Sequence, residues 1–178
     1  YFTGQAQKCS NLVEIYIMSS RLELKLSACM LYVYSNLTLG NAKASGRGLE
    51  IIWECLRKEM EAPTSERNTA YCVFARYMGT VLLHLSTEEL PDMKKYMSSL
   101  PQGLRIFAAN VISHDLYLKG EYSRALGICD AALFSCKEIY PVGVIYLYCV
   151  TAMCEISLKN QIEAEKAILT AWEMAEKD

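Results

Sequence analysis

Along most of the chain apolar side chains recur three and four residues apart, the spacing that lines one face of an α-helix, and strict alternation of apolar and polar positions is absent. Tyr71, Phe74, Met78, Val81, Leu82 and Leu85 form one such stripe. The pattern predicts an all-α protein, with helices near residues 5–17, 21–39, 46–60, 65–85, 89–98, 103–118, 121–137, 142–158 and 161–176. Punctuation agrees with it. Ser20 with Glu23, and Ser86 with Glu89, have the spacing of a capping box. Pro141 suits a first helical turn, and Gly40 and Gly120 stand where helices should stop.

Repetition adds more than the helices do, because a fixed period of 20 to 50 residues marks a repeat architecture. Leu116-Tyr117-Leu118-Lys119-Gly120-Glu121 returns forty residues later as Ile156-Ser157-Leu158-Lys159-Asn160-Gln161, and Leu37-Thr38-Leu39-Gly40-Asn41 is a third copy. Beyond the turn, Ala125 and Ala132 correspond to Ala164 and Ala171, small residues where two helices must approach closely. Gly4 begins a truncated copy, and a turn near Ser86 fills the gap between Gly40 and Gly120. The expected fold is therefore an all-α superhelix of antiparallel helical hairpins with a period of about 40, about four hairpins in one continuous unit over residues 1–178. A hairpin of this kind buries only part of its apolar surface, so its neighbours must stack on it. Both ends of the chain should then carry apolar faces, and the isolated chain is expected to associate with itself.

Composition narrows the function classes. With 18 basic against 20 acidic residues and a net charge of −2, the chain lacks the basic excess that non-specific binding to a phosphate backbone requires. The longest apolar runs, such as 142–153, stop short of the ~20 residues that cross a bilayer. The opening Tyr1-Phe2-Thr3-Gly4 has neither an initiator Met nor a basic leader, which suggests a fragment of a longer protein. Eight cysteines sit in apolar helical patterns without a Cys-x-x-Cys pair, as buried thiols in a reducing cytoplasm do.

No catalytic pattern stands out. The histidines, His84 and His114, are thirty residues apart without a His-Glu-x-x-His frame, so no metal or other cofactor is assigned. Gly40, Gly46 and Gly48 in GNAKASGRG match no phosphate-binding fingerprint and are better read as part of a turn. A cysteine nucleophile would need an oriented base and a lowered pKa, and none is singled out. The reading is non-enzymatic.

The segment 118–126 (LKGEYSRAL), followed by Ala131-Ala132-Leu133, resembles the glycine, aromatic, alanine and alanine-leucine pattern of tetratricopeptide repeats. That family has a 34-residue period and usually a closing proline, whereas here the period is longer and Lys137 stands near the proline's place. Three stretches, 24–40 (LKLSACMLYVYSNLTLG), 104–132 (LRIFAANVISHDLYLKGEYSRALGICDAA) and 145–175, resemble the tetratricopeptide-like regions of large LuxR-type bacterial transcription regulators, the group that contains the maltose-regulon activator. The resemblance implies a cytoplasmic signal-sensing or assembly region. It further implies an upstream ATPase-like or helical region and a DNA-binding helix-turn-helix, both outside this chain. The implied partners are a small-molecule effector or a protein, further copies of the chain, and DNA only through the missing region, with no membrane. An adaptor that captures a partner peptide is the alternative.

In such repeats the groove-lining positions lie about thirteen, ten, six and three residues before the turn glycine. Counted from Gly120 they are Phe107, Asn110, His114 and Tyr117, and counted from Gly40 they are Ser27, Met30, Tyr34 and Leu37. Around the irregular turn near Ser86 the count suggests Arg76 or Tyr77. The candidate ligand or peptide groove is thus Tyr34, Arg76, Tyr77, Asn110, His114 and Tyr117, with packing or plain surface as the alternative role of each.

Overall fold

The computed structural model describes residues 5–82, 89–136 and 141–176. Among these the chain is helical without a strand: α1 (Ala6–Glu14), α2 (Leu22–Thr38), α3 (Ala42–Glu61), α4 (Glu66–Leu82), a 3-10 helix (Met93–Ser99), α5 (Gln102–Leu118), α6 (Tyr122–Cys136), α7 (Pro141–Ser157) and α8 (Gln161–Ala175). The all-α expectation holds. None of the described helices is long and apolar enough to cross a membrane. The turn near Ser86, with Ser86 and His84 themselves, lies outside the described residues, as does Gly4.

Local differences from the expected boundaries have local causes. Helix α3 begins earlier than its apolar stripe because the Asn41 side chain accepts the Ala44 N–H at 3.2 Å and caps the helix there. The segment read as a helix over 89–98 becomes the 3-10 helix. Pro91 disfavours the α conformation at Leu90, and Asp92 takes the Lys94 N–H at 3.1 Å. Ser20 and Glu23 do not form a capping box. Arg21 is the N-cap of α2, the Arg21 N–H donates to Ser19 Oγ at 3.1 Å, and Glu23 pairs with Arg67 at 2.9 Å. Pro141 does open α7.

The helices group into two compact units: Tyr1–Leu83 with Leu90–Leu100, and His84–Glu89 with Pro101–Asp178. In the first unit α2 packs on α1, α3 and α4, while α4 also packs on α3 and on the 3-10 helix. Its core holds Leu26, Tyr32, Val33, Ile52, Leu56, Val73, Phe74 and Met93. In the second unit α5 packs on α6 and α7, α6 on α7, and α7 on α8. Its core includes Ile106, Val111, Ala125, Cys129, Val144, Leu147 and Ala164. Both units therefore contain the same triad, in which a first helix, its hairpin partner and the next first helix all touch.

Three hairpins close alike. Helix α2 ends with the Asn41 N–H donating to Asn36 O at 2.8 Å, α5 with Glu121 to Leu116 O at 2.9 Å, and α7 with Asn160 to Glu155 O at 2.8 Å. Each bond spans a residue in the left-handed region: Gly40 (φ 71°), Gly120 (φ 76°) and Lys159 (φ 66°). Glycine meets no Cβ penalty there, whereas lysine does. The third closure thus falls on Lys159 rather than on Asn160, where the forty-residue match of the turn sequence places it. The spacing from Gly120 is 39, the same offset that pairs Ala125 with Ala164 and Ala132 with Ala171. Five residues past each closure stand Ser45, Ala125 and Ala164, all buried. A larger side chain there would force the second helix away from the first.

Candidate functional site

The six groove candidates fall three to each unit. In the first unit Tyr34 lies on α2, and its hydroxyl donates to the Met78 sulfur of α4 at 3.5 Å. Arg76 sits two residues before Met78, about 200° round the helix, and so faces another way. Its guanidinium carbon stands 4.6 Å from the centre of the Trp53 ring on α3. Tyr77 is buried at 5% exposure. Tyr34 therefore meets a different face of α4 from the one that carries Arg76, and the two do not share a lining.

In the second unit, α5 carries Asn110, His114 and Tyr117 in register on one face, as their spacing requires. Asn110 is buried, and its carbonyl accepts from Ser113 Oγ at 2.9 Å. His114 and Tyr117 are half-buried and meet edge to face with ring centres 6.2 Å apart. Tyr117 continues the aromatic row to Tyr122, the first residue of α6, at 5.6 Å. The face therefore consists of three rings with polar tips, fixed by the α5–α6 closure at Gly120. Asn110 serves as packing beneath it. Across this unit α7 packs beside α5, and the same count taken back from Lys159 lands on Tyr146, Cys149, Met153 and Ile156. Tyr146 and Ile156 are exposed. Sequence reading passed over this second row because no glycine marks the turn from which to count.

Six of the thiols are held protonated. Burial first, and then the neighbouring Cys55, pushes Cys29 and Cys72 up to about 12. Burial and then Cys129 does the same to Cys154. Cys55, Cys129 and Cys149 are also raised, chiefly by burial. A thiol in that range supplies almost no thiolate at neutral pH. Cys29, Cys72, Cys129 and Cys154 are buried and Cys9, Cys55 and Cys149 half-buried, while the Cys136 side chain lies outside the described residues. Among the described residues no three His, Cys, Asp or Glu side chains are placed to hold a metal ion.

Gly40 to Gly48 forms the α2 closure and the first turns of α3. Tyr32, Asn41, Lys43, Ala44, Gly46, Arg47 and Glu50 line a depression of about 670 Å³ there. Arg47 in that depression pairs with Glu14 at 3.5 Å.

No known protein family, curated protein or solved structure matches this chain. Its chemistry is thus read from its own residues.

One polar cluster escaped the sequence reading altogether. Glu59, 4% exposed near the end of α3, accepts the Thr64 N–H at 2.8 Å, the Ser65 N–H at 3.3 Å, the Thr64 hydroxyl at 2.9 Å and the Thr69 hydroxyl at 3.2 Å. Burial pushes this carboxyl up, but the Thr64, Ser65 and Thr69 donors outweigh it and hold it below its ordinary value. The carboxylate thereby ties the α3–α4 connection to the first turn of α4. A glutamate six residues before Ser65 is no cap by spacing alone, which is why only the folded chain reveals it.

Proposed function

We propose that this chain is the signal-sensing or assembly region of a LuxR-type transcription regulator, cytoplasmic and non-catalytic, whose DNA-binding helix-turn-helix lies in another part of the protein. The observation that carries the reading is the aromatic face of α5, His114 and Tyr117 with Tyr122, held in a row by a hairpin closure that recurs at Gly40 and Lys159. Rings with polar tips offer large contact area at low entropic cost and suit either a small effector or a peptide. Regulation follows if the effector prefers one packing arrangement of the hairpins, because a ligand shifts an equilibrium only by its differential affinity. A stack of helices joined through a few interfaces supplies such arrangements.

The test uses the full-length regulator with His114→Ala and Tyr117→Ala together. These half-buried positions should leave the chain folded while signal-dependent transcription is lost. Normal induction by the well-folded double variant would contradict the reading, and so would a parent coding sequence without a helix-turn-helix.

A second reading, a tetratricopeptide-like adaptor for a protein partner, is favoured by the outer surface of α8. Ile162, Ile168, Leu169 and Trp172 are exposed there by 80%, 47%, 59% and 65%. Exposed apolar side chains gathered on one helix suit a contact with another protein. Self-association of the chain through it fits both readings, and sedimentation that shows only monomer at high concentration would count against it.

A further inference from the structure

The side of α4 that meets α3 carries two polar atoms with no hydrogen-bond partner among the described residues, Nε of Arg76 and Oγ1 of Thr80. Four residues apart on one helix, they lie on the same face. Thr80 is buried at 4% exposure. Beside it, Gly79 brings the helix backbone so close to Leu49 of α3 that a Cβ would collide. Arg76 is half-buried against Trp53, and Trp53 is itself 42% exposed, so the stack opens to the surface on one side.

The ion pairs among the described residues join Arg47 to Glu14, Arg67 to Glu23, Lys119 to Asp115, Arg124 to Glu121 and Lys166 to Glu163. Arg76 is in none of them. A guanidinium drawn partly out of water without a counter-charge is unfavourable, and burial alone draws this one below its ordinary range. The tryptophan face compensates for part of that cost. It leaves the in-plane N–H groups unused, and those are the groups that recognise oxyanions.

We propose that Arg76 and Thr80, with Trp53 as the wall, bind a compact oxyanion, the carboxylate or phosphate group of a small effector. The guanidinium N–H and the threonine hydroxyl both donate, so the preferred ligand offers two acceptor oxygens on one centre. The low-dielectric wall strengthens both bonds relative to water. A neutral ligand leaves the cation uncompensated. The site lies within the first unit, apart from the α5 face, and takes an anionic ligand of its own; it rests on the signal-sensing reading only for its biological use, since binding is measured without transcription.

The chain has two tryptophans, so Trp172→Phe leaves Trp53 as the sole indole reporter beside the site. Sodium phosphate and, separately, sodium acetate are titrated into that variant at ionic strength held constant with chloride, and Trp53 emission is followed. Saturable binding of at least one anion is expected. Arg76→Gln should weaken it about tenfold or more, and the isosteric Thr80→Val about threefold to tenfold, as the loss of charge-assisted bonds implies. Saturation by phosphate alone assigns a phosphate ligand, and saturation by acetate assigns a carboxylate. Circular dichroism checks that each variant is folded, and Thr80→Val decides the matter if Arg76→Gln is not. A response that never saturates, or a dissociation constant unchanged in the folded variants, overturns the proposal and leaves Arg76 a stacked structural arginine. Binding that passes these tests without any effect on transcription would count against the functional reading and leave the site standing.

Discussion

Helix α4 in the first unit and helix α8 in the second have similar lengths and similarly apolar compositions, yet they bury opposite kinds of side chain. Residues 69 to 75 of α4 are all buried, including Phe74 at 1% exposure, because α2, α3 and the 3-10 helix all pack against it. Among the described helices α8 packs on α7 alone. It buries Ala164, Ala167 and Ala171 and leaves Ile162, Ile168, Leu169 and Trp172 exposed. The alanines let two helices approach closely, and the large side chains lie on faces that no described helix of the second unit covers. In a stack of hairpins, burial is a property of position in the row as much as of the residue.

That contrast predicts unequal responses to truncation. Phe74→Ala should cost about 4 kcal/mol, the usual range for a fully enclosed phenyl ring, and chemical denaturation would measure it. A cost under about 1 kcal/mol would mean that α4 is not enclosed as described.

Next in size is the polar tie that fixes α4. Glu59→Ala should cost about 2 to 3 kcal/mol by leaving the Thr64, Ser65 and Thr69 donors without their acceptor. The carboxyl is held below its ordinary value in the folded chain. Its contribution is therefore complete above the unfolded value of about 4.3 and is lost as pH falls through the lower folded value. Glu59→Gln should remove that acid-sensitive step. Hydrogen exchange should place the loss first in α3 and α4, and an acid transition unchanged in Glu59→Gln would contradict the assignment.

On the other side of the comparison, Trp172→Ala should change the stability of the monomer by less than about 0.5 kcal/mol, since the ring is mostly in solvent. It should nevertheless weaken any self-association, as seen by sedimentation. A large loss of monomer stability would show that the α8 surface is already covered.

Most of the fold was legible because helix periodicity and glycine punctuation are local. The hairpin closures at Gly40 and Gly120 could be read directly, since left-handed backbone selects glycine. Lys159 could not, because there the chain adopts the same conformation against residue preference. The turn sequences therefore align one residue away from the closure at that turn, while the alanine pairs keep the true offset. Boundaries set by tertiary contacts were equally hidden, as with the Glu59 tie. Of the groove candidates, spacing correctly set Asn110, His114 and Tyr117 on one face of α5. It could not tell that Asn110 is buried, nor that Arg76 turns toward Trp53 while Tyr34 reaches Met78, because the orientation of α4 depends on which helices surround it.

The central claim is that the same hairpin closure recurs, with the third copy on Lys159 and not on Asn160. Two single substitutions test it most directly. Lys159→Gly relieves the penalty of a side chain in the left-handed region and should raise stability by about 0.5 to 1 kcal/mol, even after the extra freedom it gives the unfolded chain. Asn160→Gly places glycine at the start of α8, where backbone of ordinary hand gains nothing from it, and removes the bond from the Asn160 side chain to Glu155. It should be neutral or slightly destabilising. Denaturation midpoints that rise for Lys159→Gly and not for Asn160→Gly support the 39-residue offset, and the reverse order would contradict it.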